Sequence, residues 1–382
     1  MNPFMFYQPT RIIFGRGKRR ELGSLIDESC RRCLLITTED EPPLGKVYEE
    51  AKDLLSDAGI QTFHFSKVSS NPTTRVVEEA VEMAKSVKAD CVLAVGGGSS
   101  IDTAKIVASF SQYSEIEWER IFTEFSYENV HGSTVPPEDG ILPLIAVPTT
   151  SGTGSHVTQA AVITDSSLHQ KRGIFHPCNY PGISVIDPEL MLTLPPRLTA
   201  ATAFDAFSHA FESYMQVGVS PMVELLALEA IRLVCENLTG VLQDGFDIEK
   251  REKLALADTL AGIALSNAGG GLPHPLGELV GGVCPRIMHG ETLAIVYPEY
   301  IRILLEERPE RVLPIIELLP VKEEGASAET VFEAFMKEIR LDVGLSDFHV
   351  TQSELSEILS APVLSHLGYP RNYLRQIFLD RV

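Results

Sequence analysis

The feature that most constrains the fold is an apolar run that ends in three glycines. Residues 91–95 (CVLAV) are apolar throughout, and Gly96-Gly97-Gly98 and a helical pattern follow them. A continuous apolar run is typical of a strand that is buried on both faces of a parallel sheet, and 142–147 (LPLIAV) is a second example. Between such strands lie amphipathic helical segments, for example 44–58 and 72–88. The sequence therefore predicts a doubly wound, Rossmann-like α/β domain.

The second half of the chain follows a different pattern. After the prolines at 188, 195 and 196, apolar residues recur at helical spacing over 200–217, 221–244 and 248–267, with few convincing strands. A chain of 382 residues is also longer than one hydrophobic core usually organises. We therefore expect two domains, an α/β dinucleotide-binding domain over 1–190 and an α-helical domain over 191–382.

The glycine turn predicts an anion site. The glycines at 96–98 let the backbone approach a ligand closely, and the amides at the start of the next helix point toward it. This suits a pyrophosphate, but a plain tight turn is an alternative, since the sequence fits neither GxGxxG nor a Walker motif. Ser99 and Asp102 have the spacing of a capping box, which gives Asp102 a structural role. A second polar loop, 148–155 (PTTSGTGS), follows the next apolar strand, where such sheets bind ligands.

Asp205 and His209 are candidate metal ligands. They lie four residues apart in a helical stretch, so both side chains fall on one face of the helix. Their neighbours in FDAFSHAFESY are mostly apolar, and a buried charge needs a partner such as a metal ion. With His274 and His289 they form a set of three imidazoles and one carboxylate, which suits Fe²⁺ or Zn²⁺. Each histidine taken alone would more often be an ordinary core or surface residue.

The charge of the chain argues against some classes of partner. The formal net charge is −20, whereas nucleic acids and anionic membrane surfaces attract basic proteins. No apolar run approaches the length of a membrane span, and the first residues lack the pattern of a signal peptide. The six cysteines are scattered, and Cys30 and Cys33 have no second pair to complete a zinc site. We therefore expect a cytoplasmic protein with reduced thiols.

Taken together, these motifs resemble the iron-containing (group III) alcohol dehydrogenase family. The resemblance covers nearly the whole chain, with PTRIIFG at 9–15, NPT at 71–73, GGGSSIDTAK at 96–105, PTTSGTGS at 148–155, DPEL at 187–190, LPPRLTAATAFDAFSHAFESY at 194–214 and HGETLAIVYP at 289–298. It implies an α/β domain followed by an all-α metal-binding and catalytic domain, a fold shared with dehydroquinate synthase. It also implies a homodimer that transfers hydride between an alcohol, or the matching aldehyde or ketone, and NAD or NADP in the interdomain cleft.

The resemblance assigns roles to particular residues. It implies that Gly97 and Gly98 bind the cofactor pyrophosphate. It implies that the metal ligands, which carry the catalysis, are Asp205, His209, His274 and His289. The other cofactor contacts that it implies come from Ser99, Thr149, Thr150, Thr153, Thr158, Val162 and Lys171.

Two departures from the family pattern bear on the substrate site. Glu278 stands where the family often carries a second histidine, four residues after His274, and its presence would change proton transfer or the shape of the substrate site. The interval from His274 to His289 is also one residue longer than usual. It contains Arg286, which would favour an anionic substrate if it lay near the metal and is otherwise a surface arginine.

The cofactor and the reaction stay open at this point. Three acids at 39–41 favour NAD, but Thr38 occupies the position at which an acid selects NAD. A lyase similar to dehydroquinate synthase would also bind NAD and a metal, and a nucleotide-binding protein without a metal is a non-enzymatic alternative. A polyol, a hydroxy acid or a sugar acid is an alternative to a simple alcohol as the substrate.

Overall fold

Two compact units make up the fold. The computed structural model describes residues 3–113, 115–126, 140–165, 168, 170–321, 325–379 and 381. The backbone contacts divide the chain into Tyr7–Thr193 and Leu194–Val382, and the segment up to Phe6 belongs to the second unit. Each unit has a hydrophobic core of its own.

A parallel sheet lies at the centre of Tyr7–Thr193. The strands of this unit are β1 (Arg11–Phe14), β2 (Arg32–Ile36), β3 (Gln61–Phe65), β4 (Cys91–Gly96), β5 (Leu144–Pro148), β6 (Ala160–Asp165), β7 (Gln170–Phe175) and β8 (Ile183–Ile186). The sheet has the order β1-β8-β5-β4-β2-β3 with every neighbouring pair parallel, while β6 and β7 form a separate antiparallel pair. The carboxyl ends of β4 and β5 therefore lie side by side at one edge, with Gly96 opposite Pro148.

Helices cover both faces of this sheet. They are α1 (Leu22–Leu25), α2 (Gly45–Asp57), α3 (Thr74–Val87), α4 (Gly98–Phe110) and α5 (Trp118–Glu124). Alternate residues of β2 enter two different cores, with Leu34 and Ile36 in one and Cys33 and Leu35 in the other. Strands that are buried on both faces need apolar residues at every position, which explains the continuous apolar runs of the sequence.

The second unit is helical. Its helices are α6 (Pro196–Tyr214), α7 (Pro221–Gln243), α8 (Ile248–Ala268), α9 (Pro273–Val283), α10 (His289–Glu307), α11 (Pro309–Ile316), α12 (Ala328–Glu338), α13 (Gln352–Ser360) and α14 (Arg371–Leu379). Most of α6 is buried, and its Phe204, Phe207 and Phe211 recur at helical spacing. The three rings lie 5.0, 6.3 and 5.9 Å from the ring of Tyr297 on α10. This aromatic row anchors α6 against α10 and so fixes the polar residues that alternate with it.

The predicted fold class is confirmed, because a parallel α/β unit precedes a helical one. The apolar runs predicted as strands at 91–95 and 142–147 contain most of β4 and most of β5, and the helix predicted over 221–244 is α7 to within one residue. The prediction missed β6, β7 and β8. The strand β7 (QKRGIF) carries two charged residues, so it lacks the apolar run on which the strand predictions were based. Among the described residues, no helix is both long and apolar enough to cross a membrane.

Candidate active site

The helix α6 holds two of the four predicted metal ligands. Asp205 and His209 are one turn apart and almost fully buried, at 3% and 5% exposure. His209 Nε2 lies 3.6 Å from Asp205 Oδ1. The structure therefore places both side chains on one face of α6, as predicted.

The other two predicted ligands lie in the first turns of two later helices. His274 follows Pro273 at the start of α9, and His289 is the first residue of α10. Their Nε2 atoms lie 3.6 and 3.7 Å from Asp205 Oδ1. Three imidazole nitrogens thus surround one carboxylate oxygen, and the rings of His209 and His274 stack with centroids 4.5 Å apart.

The start of α10 is fixed by the two residues that follow His289. A Cβ atom on Gly290 would lie 1.9 Å from the carbonyl oxygen of Ala201 on α6, so only glycine permits this approach of the two helices. Glu291 accepts a hydrogen bond from the backbone N–H of Met288 at 3.0 Å and forms two bonds with Arg197 at the start of α6, at 2.6 and 2.9 Å. These contacts hold His289 against the face of α6 that carries Asp205.

The ligand cluster has the electrostatics of a cation site. Burial raises the pKa of Asp205, but His209, His289 and His274 together lower it to about 2, so the carboxylate is ionised at neutral pH. Within the described part of the chain, Asp205 Oδ1 and His274 Nε2 are buried and have no hydrogen-bond partner. An unsatisfied buried polar atom costs about 1–3 kcal/mol. A divalent cation between these atoms would satisfy both.

Glu212 is a residue of this cluster that the sequence analysis missed. It lies on α6 two turns after Asp205 and is fully buried, with 0% exposure. Both of its carboxylate oxygens are 2.8 Å from Nδ1 of His274. The available signal was a carboxylate between Phe211 and Tyr214 in a buried helix, since such a group needs a partner.

The two polar loops predicted to bind a cofactor lie together at the carboxyl edge of the sheet. The N–H of Thr149 donates to the carbonyl of Gly96 at 3.0 Å. A Cβ atom on Gly97 would lie 3.2 Å from Thr150 Oγ1, and one on Gly98 would lie 2.8 Å from Thr153 Cγ2. The structure thus brings the predicted Gly97, Gly98, Thr149, Thr150 and Thr153 together beside the N-terminus of α4, where free helix amides favour an anion.

The prediction of a capping box at Ser99 and Asp102 is wrong. The residue that caps α4 is Gly97, and no side chain bonds to the helix start there. Asp102 instead accepts hydrogen bonds from Ser155 Oγ at 2.5 Å and from the backbone N–H of Val162 at 2.9 Å. Its carboxylate therefore connects α4 to the loop after β5 and to β6.

Asp102 also pairs with a fully buried lysine. Lys105 Nζ lies 3.6 Å from Asp102 Oδ1, donates to Thr158 Oγ1 at 3.2 Å and donates to the carbonyl of Ala160. Burial lowers the pKa of Lys105 to about 8, although Asp102 raises it. In the structure, the Thr158 side chain is thus hydrogen-bonded to Lys105 of α4.

Two further positions concern the cofactor. Lys171 lies on β7 opposite Thr164 of β6. Thr38, which follows β2, shares a hydrogen bond of 2.7 Å with the hydroxyl of Tyr48. Of the three acids after it, Asp40 lies 3.5 Å from Lys52 Nζ.

Arg286 is engaged by the C-terminal part of the chain. Its guanidinium forms two bonds with Glu354, at 2.5 and 3.0 Å, and donates to the carbonyl of Phe348 at 3.1 Å. These contacts favour the interpretation of Arg286 as a surface residue and give no support to a role in binding an anionic substrate. Glu278 lies on α9 one turn after His274 and is partly buried.

Comparisons with known proteins match both parts of the chain to one family. The family model described as iron-containing alcohol dehydrogenase matches residues 9–188, and the C-terminal model of the Fe-containing alcohol dehydrogenase family matches 199–376. The NAD-dependent methanol dehydrogenase of Bacillus methanolicus is 32% identical over 358 residues, which are 92% of this chain and 91% of that protein. The choline dehydrogenase of Bacillus subtilis is 35% identical over 292 residues, which are 76% of this chain and 70% of that protein. The crystal structure of an archaeal halo-thermophilic alcohol dehydrogenase from a Red Sea brine pool is 31% identical, with a TM-score of 0.89 and full coverage of both chains.

Proposed function

We propose that this chain, which belongs to the iron-containing alcohol dehydrogenase family, oxidises an alcohol with NAD at a metal ion held by Asp205, His209, His274 and His289. The observation that carries this proposal is the convergence of three imidazole nitrogens on one carboxylate oxygen at 3.6–3.7 Å. The reaction transfers hydride from the carbinol carbon to NAD⁺ and releases the hydroxyl proton.

The donor set fits a divalent transition metal. Imidazole nitrogen and carboxylate oxygen are ligands that both Fe²⁺ and Zn²⁺ accept, and hard cations such as Mg²⁺ favour all-oxygen sites. Asp205 Oδ1 and His274 Nε2, which are buried and have no hydrogen-bond partner in the described chain, support the same assignment. We propose Fe²⁺ as the resident ion, with Zn²⁺ as the alternative.

The chain's own residues would hold and orient this ion. When bound, it supplies a Lewis acid that lowers the pKa of a hydroxyl group. Asp205 contributes the one negative charge among the four ligands, and the row of Phe204, Phe207 and Phe211 keeps α6 in place. Glu291 and Arg197 fix the start of α10 and with it His289.

The loops at the sheet edge would hold the cofactor. We propose that Gly97, Gly98 and Ser99 receive the pyrophosphate at the start of α4 and that Thr149, Thr150, Thr153, Val162 and Lys171 lie along the rest of NAD. Thr158 and Asp102 would support this site indirectly, since Thr158 accepts a hydrogen bond from Lys105 of α4 and Asp102 accepts one from the backbone N–H of Val162 on β6. NAD is the proposed cofactor because acids follow β2, and NADP is the alternative.

Substrate, assembly and location are finer points of the proposal. We propose a small alcohol as the substrate, because Arg286, the residue that would have favoured an anionic substrate, is engaged by Glu354. We propose a homodimer by analogy with the family. A cytoplasmic location is proposed from the six cysteines, none of which forms a disulfide in the described chain, since reduced thiols are typical there.

The test combines metal loading with a substrate panel. Anaerobically purified protein is stripped with a chelator and reloaded with Fe²⁺ or Zn²⁺. NADH or NADPH formation is then followed with simple alcohols, diols, choline, polyols and hydroxy acids. We expect NADH with an alcohol in the metal-loaded protein only. Asp205→Asn should abolish metal binding and activity, whereas Asp53→Asn, at an exposed position of α2, should change neither. Metal-loaded protein that forms no NADH with any alcohol would contradict the proposal and would favour a lyase.

A further inference from the structure

The buried carboxylate of Glu212 contacts three different hydrogen-bond donors. Both of its oxygens lie 2.8 Å from His274 Nδ1. One oxygen also accepts from the backbone N–H of Gly271 at 2.6 Å, and the other accepts from the hydroxyl of Tyr297 at 3.2 Å. Burying a carboxylate away from water costs free energy, and hydrogen-bond donors such as these compensate that cost.

These contacts determine which nitrogen of His274 carries the proton. An ionised carboxylate can only accept hydrogen bonds, so Nδ1 of His274 must be the donor to Glu212. In the neutral imidazole, which is the form that can bind a metal, the opposite nitrogen, Nε2, then carries the lone pair, and it lies 3.6 Å from Asp205 Oδ1. In metal centres, a carboxylate that accepts from the second nitrogen fixes the ring orientation and makes the imidazole a stronger ligand.

The same part of α6 also holds the chain that leads to His274. Gln216 Nε2 donates to the carbonyl of Gly270 at 2.6 Å, and Ser213 Oγ, which donates to the carbonyl of His209 at 2.7 Å, lies 3.4 Å from the carbonyl of Gly269. Together with the bond from Gly271 to Glu212, these contacts tie the segment before α9 to α6. The helix therefore provides two ligands directly and positions a third through its next turn.

We propose that Glu212 is a positioning residue of the metal centre, whose carboxylate holds His274 as the Nδ1–H tautomer and thereby strengthens metal binding. This inference rests on the proposed metal-dependent function. Removal of a group with this role typically costs about 10- to 100-fold in metal affinity. The effect is expected on metal binding itself and does not depend on any substrate.

The experiment compares wild type, Glu212→Gln and Tyr297→Phe. Each protein is stripped of metal and titrated with Co²⁺ against a competing chelator, while the visible spectrum of bound Co²⁺ is recorded. Gln has the shape of Glu but lacks its charge, so a neutral amide replaces the carboxylate that accepts from Nδ1–H of His274. We expect Glu212→Gln to bind Co²⁺ about 10- to 100-fold more weakly, with a changed visible spectrum. Tyr297→Phe removes another donor to the same carboxylate and leaves the contact with His274, so its affinity should stay within about threefold of wild type.

Thermal unfolding of the metal-free proteins separates this role from a merely structural one. Glu212→Gln with wild-type Co²⁺ affinity and spectrum would overturn the proposal, even if the variant unfolds at a lower temperature. Equal losses of affinity in Glu212→Gln and Tyr297→Phe would also overturn it, since the loss would then not depend on the carboxylate that contacts His274. If Glu212→Gln does not fold, Glu212→Asp keeps the charge but draws the carboxylate back from the ring, and the same weakening is expected. If the wild-type protein binds no Co²⁺, that result would instead contradict the proposed metal-dependent function, on which the role of Glu212 depends.

Discussion

The substitution Gly290→Ala tests how closely α10 must approach α6. The added Cβ would lie 1.9 Å from the carbonyl oxygen, 2.5 Å from the carbonyl carbon and 2.8 Å from the Cα atom of Ala201. Contacts of a Cβ under 3.0 Å essentially do not occur, so one helix must move by about 1.1 Å, the difference between 3.0 and 1.9 Å. His289 is the adjacent residue, and its side chain would move with the start of α10.

The expected losses follow from that displacement. Overpacking of this kind costs about 1–3 kcal/mol and sometimes more, and the crowding atoms are main chain, which cannot rotate away. Metal–ligand distances are held to within about 0.2 Å, so a shift of about 1 Å is about five times that tolerance. We therefore expect Gly290→Ala to lower the free energy of unfolding by about 2–4 kcal/mol and to weaken metal binding by about 100-fold or more.

The assay pairs urea unfolding of the metal-free protein with a Co²⁺ titration. The matched control is Gly182→Ala, whose added Cβ would lie 3.6 Å from the carbonyl oxygen of Leu144, an ordinary contact. This variant should stay within about 0.5 kcal/mol of wild type and bind Co²⁺ normally. If Gly290→Ala behaves like Gly182→Ala, the reasoning about the approach of the two helices is wrong.

Three further predictions concern the α/β unit. Burial, with a contribution from Lys105, lowers the pKa of His156 from 6.5 to about 3. The free energy of unfolding should therefore fall as the pH drops from 6.5 toward 3, because the unfolded chain binds a proton on this histidine in that range and the folded protein does not. Between pH 7 and pH 5 the loss should be about 2 kcal/mol in urea unfolding, and a His156→Gln variant with the same pH slope as wild type would contradict it. Lys105→Met leaves Asp102 buried without its cation and should cost about 3–5 kcal/mol, part of which Asp102→Asn should restore in the double variant; full stability of the single variant would argue against a buried ion pair. Thr38→Asp places a carboxylate after β2 and should raise the ratio of kcat/KM for NAD over NADP by about 10-fold or more through repulsion of the 2′-phosphate, and an unchanged ratio would show that the ribose binds elsewhere.

Two of the four residues of the metal cluster, Asp205 and His209, could be predicted from their spacing in the sequence. The spacing of Asp205 and His209 places both on one face of α6 because the helix repeat is known. His274 and His289 join them through the packing of α9 and α10 on α6, and no spacing within the sequence encodes that packing. Glu212 could not be assigned to the site for the same reason. A buried carboxylate indicates that a partner is needed, but the sequence does not indicate that the partner is His274, which lies 62 residues later.

The α/β unit shows a similar division. Continuous apolar runs identify β4 and β5, because parallel strands are buried on both faces. The order of the strands is set by crossovers that leave no periodic signal, and β6 and β7 were missed because their residues are partly exposed and, in β7, charged. The capping box failed because Gly97 already begins the helix, while the partners of Asp102 arrive from the segments that contain Ser155 and Val162.

Gly98 and Gly290 restrict sequence change in different ways. At Gly98 the crowding atoms belong to the side chain of Thr153, so a larger residue at 98 can be accommodated by a smaller one at 153. At Gly290 they are main-chain atoms of Ala201, which every amino acid possesses, so no replacement at 201 makes room. Among related sequences, positions 98 and 153 should therefore vary together over evolutionary time, whereas glycine at 290 should persist whatever residues surround it.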